Sequence, residues 1–472
     1  MWNSVFWYLS GKLFTQGFGL VVSVILARLI LPDEFGIIAM VLVIIAMSQV
    51  FLDFGFGAGL IQKENVDEDT YSSVFWFNIF MASVLTVILF ILSPFVSEFY
   101  GQSRLTLITK ALSSLFFVGS LGLMQSVILT KAMNFKVQSI ATTIATVLSG
   151  IIAIVLALRG LEVWALVFQQ ILLKVFNVII LWLLVPWKPK WCFKISHLNE
   201  IWSFSSYKFT TQILQSILSK LDSIIIGKLF VPSVLGFYSR SRNLADLIKS
   251  YTSESFSKVY FPYVSNNQGD IAKLKETYYL GFKIVAIVSI GLSALFYSIA
   301  DELIVILFSD IWLKSAYYFS FMIIADSFTK PLGQMNLTML VGLGHANVEL
   351  KLLLMKRTIW VLALITLWYL GIEVFLYAII IHSFIAYLID SYFVSKYLPI
   401  SLTFVYFFLI KCLAIAVVSI LLSQWIDFEA SIILNAVLKS AIVLTCFLIG
   451  MYFVSRESIY LIYNKIIKYK AS

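Results

Sequence analysis

Ala27-Arg28-Leu29-Ile30-Leu31-Pro32-Asp33-Glu34-Phe35-Gly36 aligns without a gap against Gly227-Lys228-Leu229-Phe230-Val231-Pro232-Ser233-Val234-Leu235-Gly236, 200 positions later. Leu, Pro and Gly coincide, and the cation, the small residue before it and the apolar run match in type. Each copy lies where one long apolar segment ends and the next begins. A fainter echo precedes it, Lys12-Leu13-Phe14-Thr15-Gln16 against Lys208-Phe209-Thr210-Thr211-Gln212, at an offset of 196. The difference in offset is about one helical turn. Internal repeats are read before other fold features. A duplicated bundle of membrane helices, a common plan among transporters, accounts for both echoes.

Composition sets the solvent. Of 472 residues, 61% are hydrophobic and 12% charged, against about 45–50% and about 25% in soluble domains. That much apolar surface cannot be hidden in a water-soluble core, so the fold class is an all-α polytopic membrane protein. Met1-Trp2-Asn3-Ser4 carries no basic residue and Lys12 interrupts the first apolar stretch. The first helix is therefore expected to remain as an anchor rather than be cleaved. Cys192, Cys412 and Cys446 are far apart and form no CxxC pair, which argues against a metal site or disulfide framework and leaves them as small buried residues.

A span needs about 20 largely apolar residues. Fourteen segments qualify: 5–31, 36–60, 72–99, 109–130, 138–158, 163–186, 201–230, 234–262, 278–300, 316–343, 352–371, 373–395, 403–423 and 431–454. The seventh and eighth are the weakest, because both carry several charges. Lysine and arginine concentrate in alternate connections, among them Lys63, Lys131, Lys136, Lys188, Lys190, Lys194, Lys273, Lys275, Lys351, Lys356, Arg357 and Lys396, and in the tail at Arg456, Lys465, Lys468 and Lys470. The opposite connections are acidic, with Asp33, Glu34, Glu98, Glu162, Asp301, Glu302, Asp310, Asp427 and Glu429. Basic connections face the cytoplasm, so both termini are expected there, and the net charge of +9 needs no nucleic acid to explain it. The expected organisation is an N-terminal helix lobe (1–186), a cytoplasmic linker (187–200) whose Trp187 and Trp191 are interface anchors, a C-terminal helix lobe (201–395), and two extra helices with a basic tail (396–472). No Walker-type GxxxxGK[ST] run is present.

Polar stripes carry the chemistry. At about 100° per residue, Lys208, Thr211, Gln212, Gln215, Ser219, Asp222 and Ser223 share one face of the seventh segment. Arg242, Asn243, Asp246, Lys249, Ser250, Ser253, Glu254 and Ser257 share one face of the eighth, and Lys12, Thr15, Gln16 and Ser23 form a thinner stripe on the first. Each charge at a helix centre costs about 2.5–3.5 kcal/mol on insertion scales, so these faces line a water-filled or substrate-filled interior. The alternative is mutual pairing that glues helices together, for which Asp246 and Lys249 are suitably spaced. Gln170, Lys174 and Asn177 share a face of the sixth segment. Asp326 and Lys330, an i,i+4 pair before Pro331, read first as a structural salt bridge at a kink and are kept among the cavity candidates. Gln49 and Asp53 precede Gly55-Phe56-Gly57-Ala58-Gly59, a run suited to close helix packing or to a moving end. His382 reads as a packed core histidine. Lys12, Arg28, Lys174, Lys208, Arg242 and Lys249 suit a phosphate or pyrophosphate, while Gln, Ser, Thr and Asn suit hydroxyls.

Residues 27–36, then Asp53-Phe54-Gly55-Phe56-Gly57-Ala58-Gly59-Leu60-Ile61-Gln62 and Ser73-Val74-Phe75-Trp76-Phe77-Asn78, resemble the polysaccharide transporter family. Leu221-Asp222-Ser223-Ile224-Ile225-Ile226-Gly227-Lys228 and Leu235-Gly236-Phe237-Tyr238-Ser239-Arg240 share the resemblance. That family includes Wzx-type O-antigen flippases and colanic-acid-type exporters within the multidrug/oligosaccharidyl-lipid/polysaccharide exporter superfamily. The resemblance implies two lobes of six helices around a central cavity, plus two C-terminal helices. It implies flipping of an undecaprenyl-pyrophosphate-linked sugar repeat across the bacterial inner membrane by alternating access, for O-antigen, capsule or exopolysaccharide synthesis. Coupling to a proton or sodium gradient, no bound cofactor or metal, and partners limited to the lipid-linked glycan, membrane lipids and other polysaccharide-assembly proteins go with it. A multidrug exporter of the same superfamily would rely on cavity carboxylates, which the intramembrane cations here at least equal. A membrane glycan polymerase or ligase would usually keep a large extracytoplasmic loop, and the outward connections here are short.

Overall fold

The structure, a computed structural model, describes residues 2–425 and 431–454. Asp427, Glu429 and the tail cations Arg456, Lys465, Lys468 and Lys470 lie outside the described residues, as do the side chains of Lys208, Ser250, Ser253 and Glu254. The described residues contain helices and no strand. By contacts the chain divides into two compact units, residues 1–236 and 237–472.

The first unit begins with α1 (Trp2–Leu29) and a second pass broken into α2 (Pro32–Ser48), α3 (Val50–Asp53) and α4 (Phe56–Gln62). Then follow α5 (Glu68–Tyr100), α6 (Leu105–Lys131), α7 (Phe135–Leu158), α8 (Val163–Leu184) and α9 (Ile195–Leu229). Helix starts follow local chemistry. The Asp67 carboxylate accepts from Thr70 N (3.1 Å) to cap α5, and Pro32 opens α2 where its missing N–H costs nothing. Gly101 closes α5 in the left-handed conformation. α1 packs on α7, α7 on α8 and α5 on α6.

The single expected segment 36–60 is broken at Phe54 (φ 50°) and Gly55 (φ 78°), both left-handed. At Gly55 a Cβ would also run into the Ser205 carbonyl oxygen, so this position requires glycine. Asp53 caps the restart, its Oδ1 and Oδ2 accepting from Gly57 N at 3.0 and 2.8 Å. α9 runs antiparallel along this broken pass. Ser205 sits against Gly55 and Gly59, Phe209 stacks on Phe54 with centroids 4.4 Å apart, and Ser216 Oγ donates to Ala46 O at 3.3 Å.

The repeated run meets its own copy. A Cβ on Gly36 would overlap the carbonyl oxygen of Pro232, and one on Gly236 the carbonyl oxygen of Pro32. Ser233 N donates to Asp33 Oδ1 at 3.1 Å beside them. Glu34 receives a two-pronged bond from Arg104 (2.7 and 2.9 Å), which holds that guanidinium above its ordinary pKa.

α10 (Pro232–Asn266) carries the chain into the second unit. There follow α11 (Ile271–Ser298), the short α12 (Ala300–Phe308), α13 (Leu313–Ser327), a π-helical turn at Phe328–Leu332 and α14 (Gly333–Gly342). The unit ends with α15 (Ala346–Leu370), α16 (Ile372–Tyr397), α17 (Leu402–Trp425) and α18 (Ile432–Val454). Its core joins α11, α14, α16, α17 and α18. Phe282 meets Phe408 with ring centroids 5.8 Å apart, and the Tyr278 hydroxyl donates to Asn336 Oδ1 at 2.9 Å. The buried Asp390 takes Lys356 at 2.9 Å between α15 and α16.

Each expected segment coincides with a helix or a short series of helices, which is consistent with fourteen passes. Ten helices among the described residues are long and apolar enough to cross a membrane. α9 and α10, the two weakest segments, fall short, as do the broken α13–α14 pass and α15 with its charged first half. Large apolar side chains such as Phe80, Phe95, Leu183 and Phe453 point outward, as lipid-facing residues do. The chain is a multi-pass membrane protein.

Overpacking at a tight site costs about 1–3 kcal/mol. Gly36→Ala should therefore lower the thermal midpoint of the detergent-solubilised protein. Gly19→Ala, where no atom lies within 4 Å, should leave it unchanged or raise it. Equal melting of the two variants would refute the close approach.

Candidate functional site

The densest charge cluster is in the second unit, where the polar face of α10 meets α13 and the π turn. Pro331 lacks an N–H and its ring crowds the preceding turn, so the helix widens there instead of continuing straight. That widening carries Lys330. Asp326, on the last turn of α13, gathers three cations: Lys249 Nζ at 2.8 Å, Lys330 Nζ at 3.6 Å and Arg242 Nη1 at 3.8 Å. Lys249 also donates to Met322 O at 2.7 Å, and Lys330 pairs closely with Asp246. Among the described residues three cations, Lys249, Lys330 and Arg242, meet two carboxylates, Asp326 and Asp246.

The cluster has depth. The side chains of Lys249 and Asp326 are 4% and 7% exposed, whereas those of Lys330 and Asp246 are 39% and 45% exposed. Arg242 lies between these extremes and Asn243 is exposed. The buried pair is the foundation, and Arg242 and Lys330 are the groups offered outward. A guanidinium fork beside an ammonium suits a multiply charged oxyanion. Among the described residues no group of three or more His, Cys, Asp or Glu is placed to hold a metal ion.

The expected local pair Asp246–Lys249 is not what forms: each reaches across to the α13 side, Lys249 to Asp326 and Asp246 to Lys330. The reason is geometric, since Asp326 is more buried than Asp246 and leaves Lys249 its nearest partner for a charge that must be matched. The i,i+4 pair Asp326–Lys330 is present, as the longer of Lys330's two ion pairs.

In the first unit the polar groups are more dispersed. Thr15 Oγ1 and Thr143 Oγ1 are 3.0 Å apart between α1 and α7, and Asn177 Nδ2 of α8 donates to Thr142 Oγ1 at 3.4 Å. Gln16 Oε1 is enclosed without a hydrogen-bond partner, and Lys12 is half-buried on the same helix face. Lys174 projects from the middle of α8 with its side chain exposed. Arg28, exposed at the far end of α1, is not brought to Lys12; sixteen residues of helix, about 24 Å, separate them. Asp53 is committed to the α4 start and to Asn78, whose Nδ2 lies 3.4 Å away.

Along α9 the stripe is split. Gln215 and Ser219 are exposed and Gln212 half-buried. Asp222 is buried, its Oδ1 accepting from Ser223 N (2.7 Å) and Ser223 Oγ (3.3 Å). His382 is half-buried, with Nε2 3.2 Å from Lys356 O and its ring against Trp360. Of the cysteines, Cys412 is buried while Cys192 and Cys446 are only partly so. Two buried ion pairs escaped the sequence reading, Lys356–Asp390 and Lys439–Glu302, because each joins helices with no local spacing signal.

Residues 25–317 match the protein family described as "Polysaccharide biosynthesis protein". The teichuronic acid biosynthesis protein TuaB of Bacillus subtilis (strain 168) is 26% identical over 271 residues, 57% of this chain and 56% of that protein. The succinoglycan biosynthesis transport protein ExoT of Rhizobium meliloti (strain 1021) is 22% identical over 310 residues, 66% of this chain and 63% of its own. The chain thus spans less than two thirds of the length of either relative. In fold it is similar to the lipid II flippase MurJ in an inward closed conformation, with a TM-score of 0.75 at 14% identity over 96% of this chain and 99% of that one. An inward-facing multidrug resistance MATE transporter of the MOP superfamily gives 0.60 at 15% identity over 81% and 95%. With more than half of its length matched, the chain belongs to the polysaccharide biosynthesis protein family.

Proposed function

We propose that this protein moves a polyprenyl-pyrophosphate-linked oligosaccharide across the bacterial inner membrane by alternating access, supplying O-antigen, capsule or exopolysaccharide synthesis. The observation that carries the reading is the gathering of Lys249, Lys330 and Arg242 around Asp326, with Lys330 and Arg242 more exposed than the buried Lys249–Asp326 pair. A pyrophosphate offers several anionic oxygens to Lys330 and Arg242, and the exposed Asn243 offers bonds to sugar hydroxyls. The family membership and relatives named for polysaccharide biosynthesis and its transport support the same cargo class.

In this reading the lobes are the repeated halves, residues 1–186 and 201–395, joined through 187–200 and followed by two further helices in 396–472. Both termini face the cytoplasm, where the basic connections lie. The protein is a carrier rather than an enzyme, works without a bound cofactor, and draws on a proton or sodium gradient. Its partners are the lipid-linked glycan, membrane lipids and other polysaccharide-assembly proteins. A drug cation fits the site less well, because its two described carboxylates are already engaged by lysines.

Neutralising Lys208 or Arg242 to Gln should cut glycan export in living cells while the protein stays in the membrane at its usual level. Normal export by both single variants would remove the anion-binding role. Stability should divide differently. Asp326→Asn breaks a buried ion pair, for which losses run to about 3–5 kcal/mol; the more exposed Asp246→Asn should cost about 1 kcal/mol or less. Thermal melts of the two variants in one detergent test this, and a larger loss at Asp246 would contradict the assignment of depth.

A further inference from the structure

The second unit holds a cavity of about 440 Å³ that shares no residue with the Asp326 cluster. It lies where the end of α11, the start of α12, the first turns of α13 and the facing ends of α17 and α18 converge. Its volume falls within the range of about 300–1,000 Å³ typical of small-molecule sites. Lys314 in its wall is twelve residues from Asp326 on the same helix, about 18 Å along the axis.

Its charges balance. Glu302 and Lys439 engage each other at 2.5 Å with both side chains largely buried, bracing α12 against α18. Asp301 and Lys314 remain, both exposed at the cavity, and neither makes a hydrogen bond or ion pair among the described residues. One is an acceptor and the other a donor. Gln424 adds an amide that does both, and Ser320 a hydroxyl.

One wall is aromatic. Tyr317 and Phe321 lie with ring centroids 5.0 Å apart, and Phe321 is braced from behind by Tyr377 at 4.9 Å. A pyrophosphate would meet Asp301 with no uncommitted excess of cations, and an organic cation would meet Lys314. A neutral ring bearing several hydroxyls satisfies both groups at once, since each hydroxyl donates and accepts, and its C–H face can lie on Tyr317 and Phe321.

We propose that this cavity is a binding site for a neutral pyranose unit, separate from the charge cluster and on the outer side in the orientation given above. The inference deepens the transport reading, and rests on it for the source of the sugar: a glycosyl unit of the cargo after or during its passage. A phospholipid headgroup, zwitterionic and also hydrogen-bonding, is the competing occupant.

The test uses the full chain in phosphatidylcholine nanodiscs and saturation-transfer NMR with glucose, galactose, mannose and N-acetylglucosamine, each added as the free sugar. At least one should give transfer signals, weakened about tenfold by the double variant Asp301→Asn/Lys314→Gln, as loss of charge-assisted hydrogen bonds implies, and kept by Arg242→Gln. Phe321→Leu, which keeps volume while removing the ring, should weaken them as well. Absence of signal from all four sugars, or signals indifferent to the Asp301 and Lys314 changes, overturns the site. Displacement of the bound sugar by phosphatidylethanolamine added to the discs assigns the cavity to lipid and overturns it too. Sugar binding that follows this pattern in a protein that exports no glycan would leave the pocket standing and remove the transport reading instead.

Discussion

Carboxylates and ammonium groups inside a membrane protein persist only when matched, and Asp326 is where three cations of the second unit converge. A lone charge at that depth is costly on any scale, and removing one member of a buried pair costs more than the pair contributes. The arrangement of α10 against α13 follows from this. Lys249 must reach Asp326, so the polar face of α10 turns toward α13 instead of pairing within itself. Arg242 and Lys330 are then drawn to the same carboxylate, yet they lie farther from it and keep more of their side chains exposed than Lys249 does. A structural necessity thus gathers three cations in one place.

Breaks in the helices serve the same end. The π turn at Phe328–Leu332 lets Pro331 sit in the middle of a pass and sets Lys330 on its widened turn. In the first unit the left-handed break at Phe54 and Gly55 ends one helix and starts another, and the new start is capped by Asp53. Discontinuous helices of this kind expose backbone dipoles within a membrane. Here one freed N–H, that of Gly57, is met by a carboxylate of the same chain segment, which explains why Asp53 precedes a glycine-rich run.

The membrane class, the helical segments and the existence of polar faces were legible in the sequence because each depends on periodicity along one helix. Which faces meet was not. Asp246 and Lys249 are three apart on one helix, and only the crossing of α10 and α13 decides that they pair elsewhere. The run from Gly55 to Gly59 read as close packing or as a moving end; the close packing is there, at Ser205, together with a break that spacing alone does not reveal. Lys174 and Gln16 were identifiable as intramembrane polar residues, but the Thr15–Thr143 and Thr142–Asn177 contacts beside them depend on the meeting of α1, α7 and α8. The cavity near Asp301 had no linear signature, since its walls join residues 297–321 to Gln424 and Lys439 on α17 and α18, which no local spacing connects.

The mutual seating of Gly36 on Pro232 and of Gly236 on Pro32 bears on how the two copies could diverge. At this point each copy is the other's steric environment, so a bulkier residue in either is excluded by the backbone of its twin. The glycine that the two runs share is thus a residue neither run could change independently, and the likeness at that position records the contact itself.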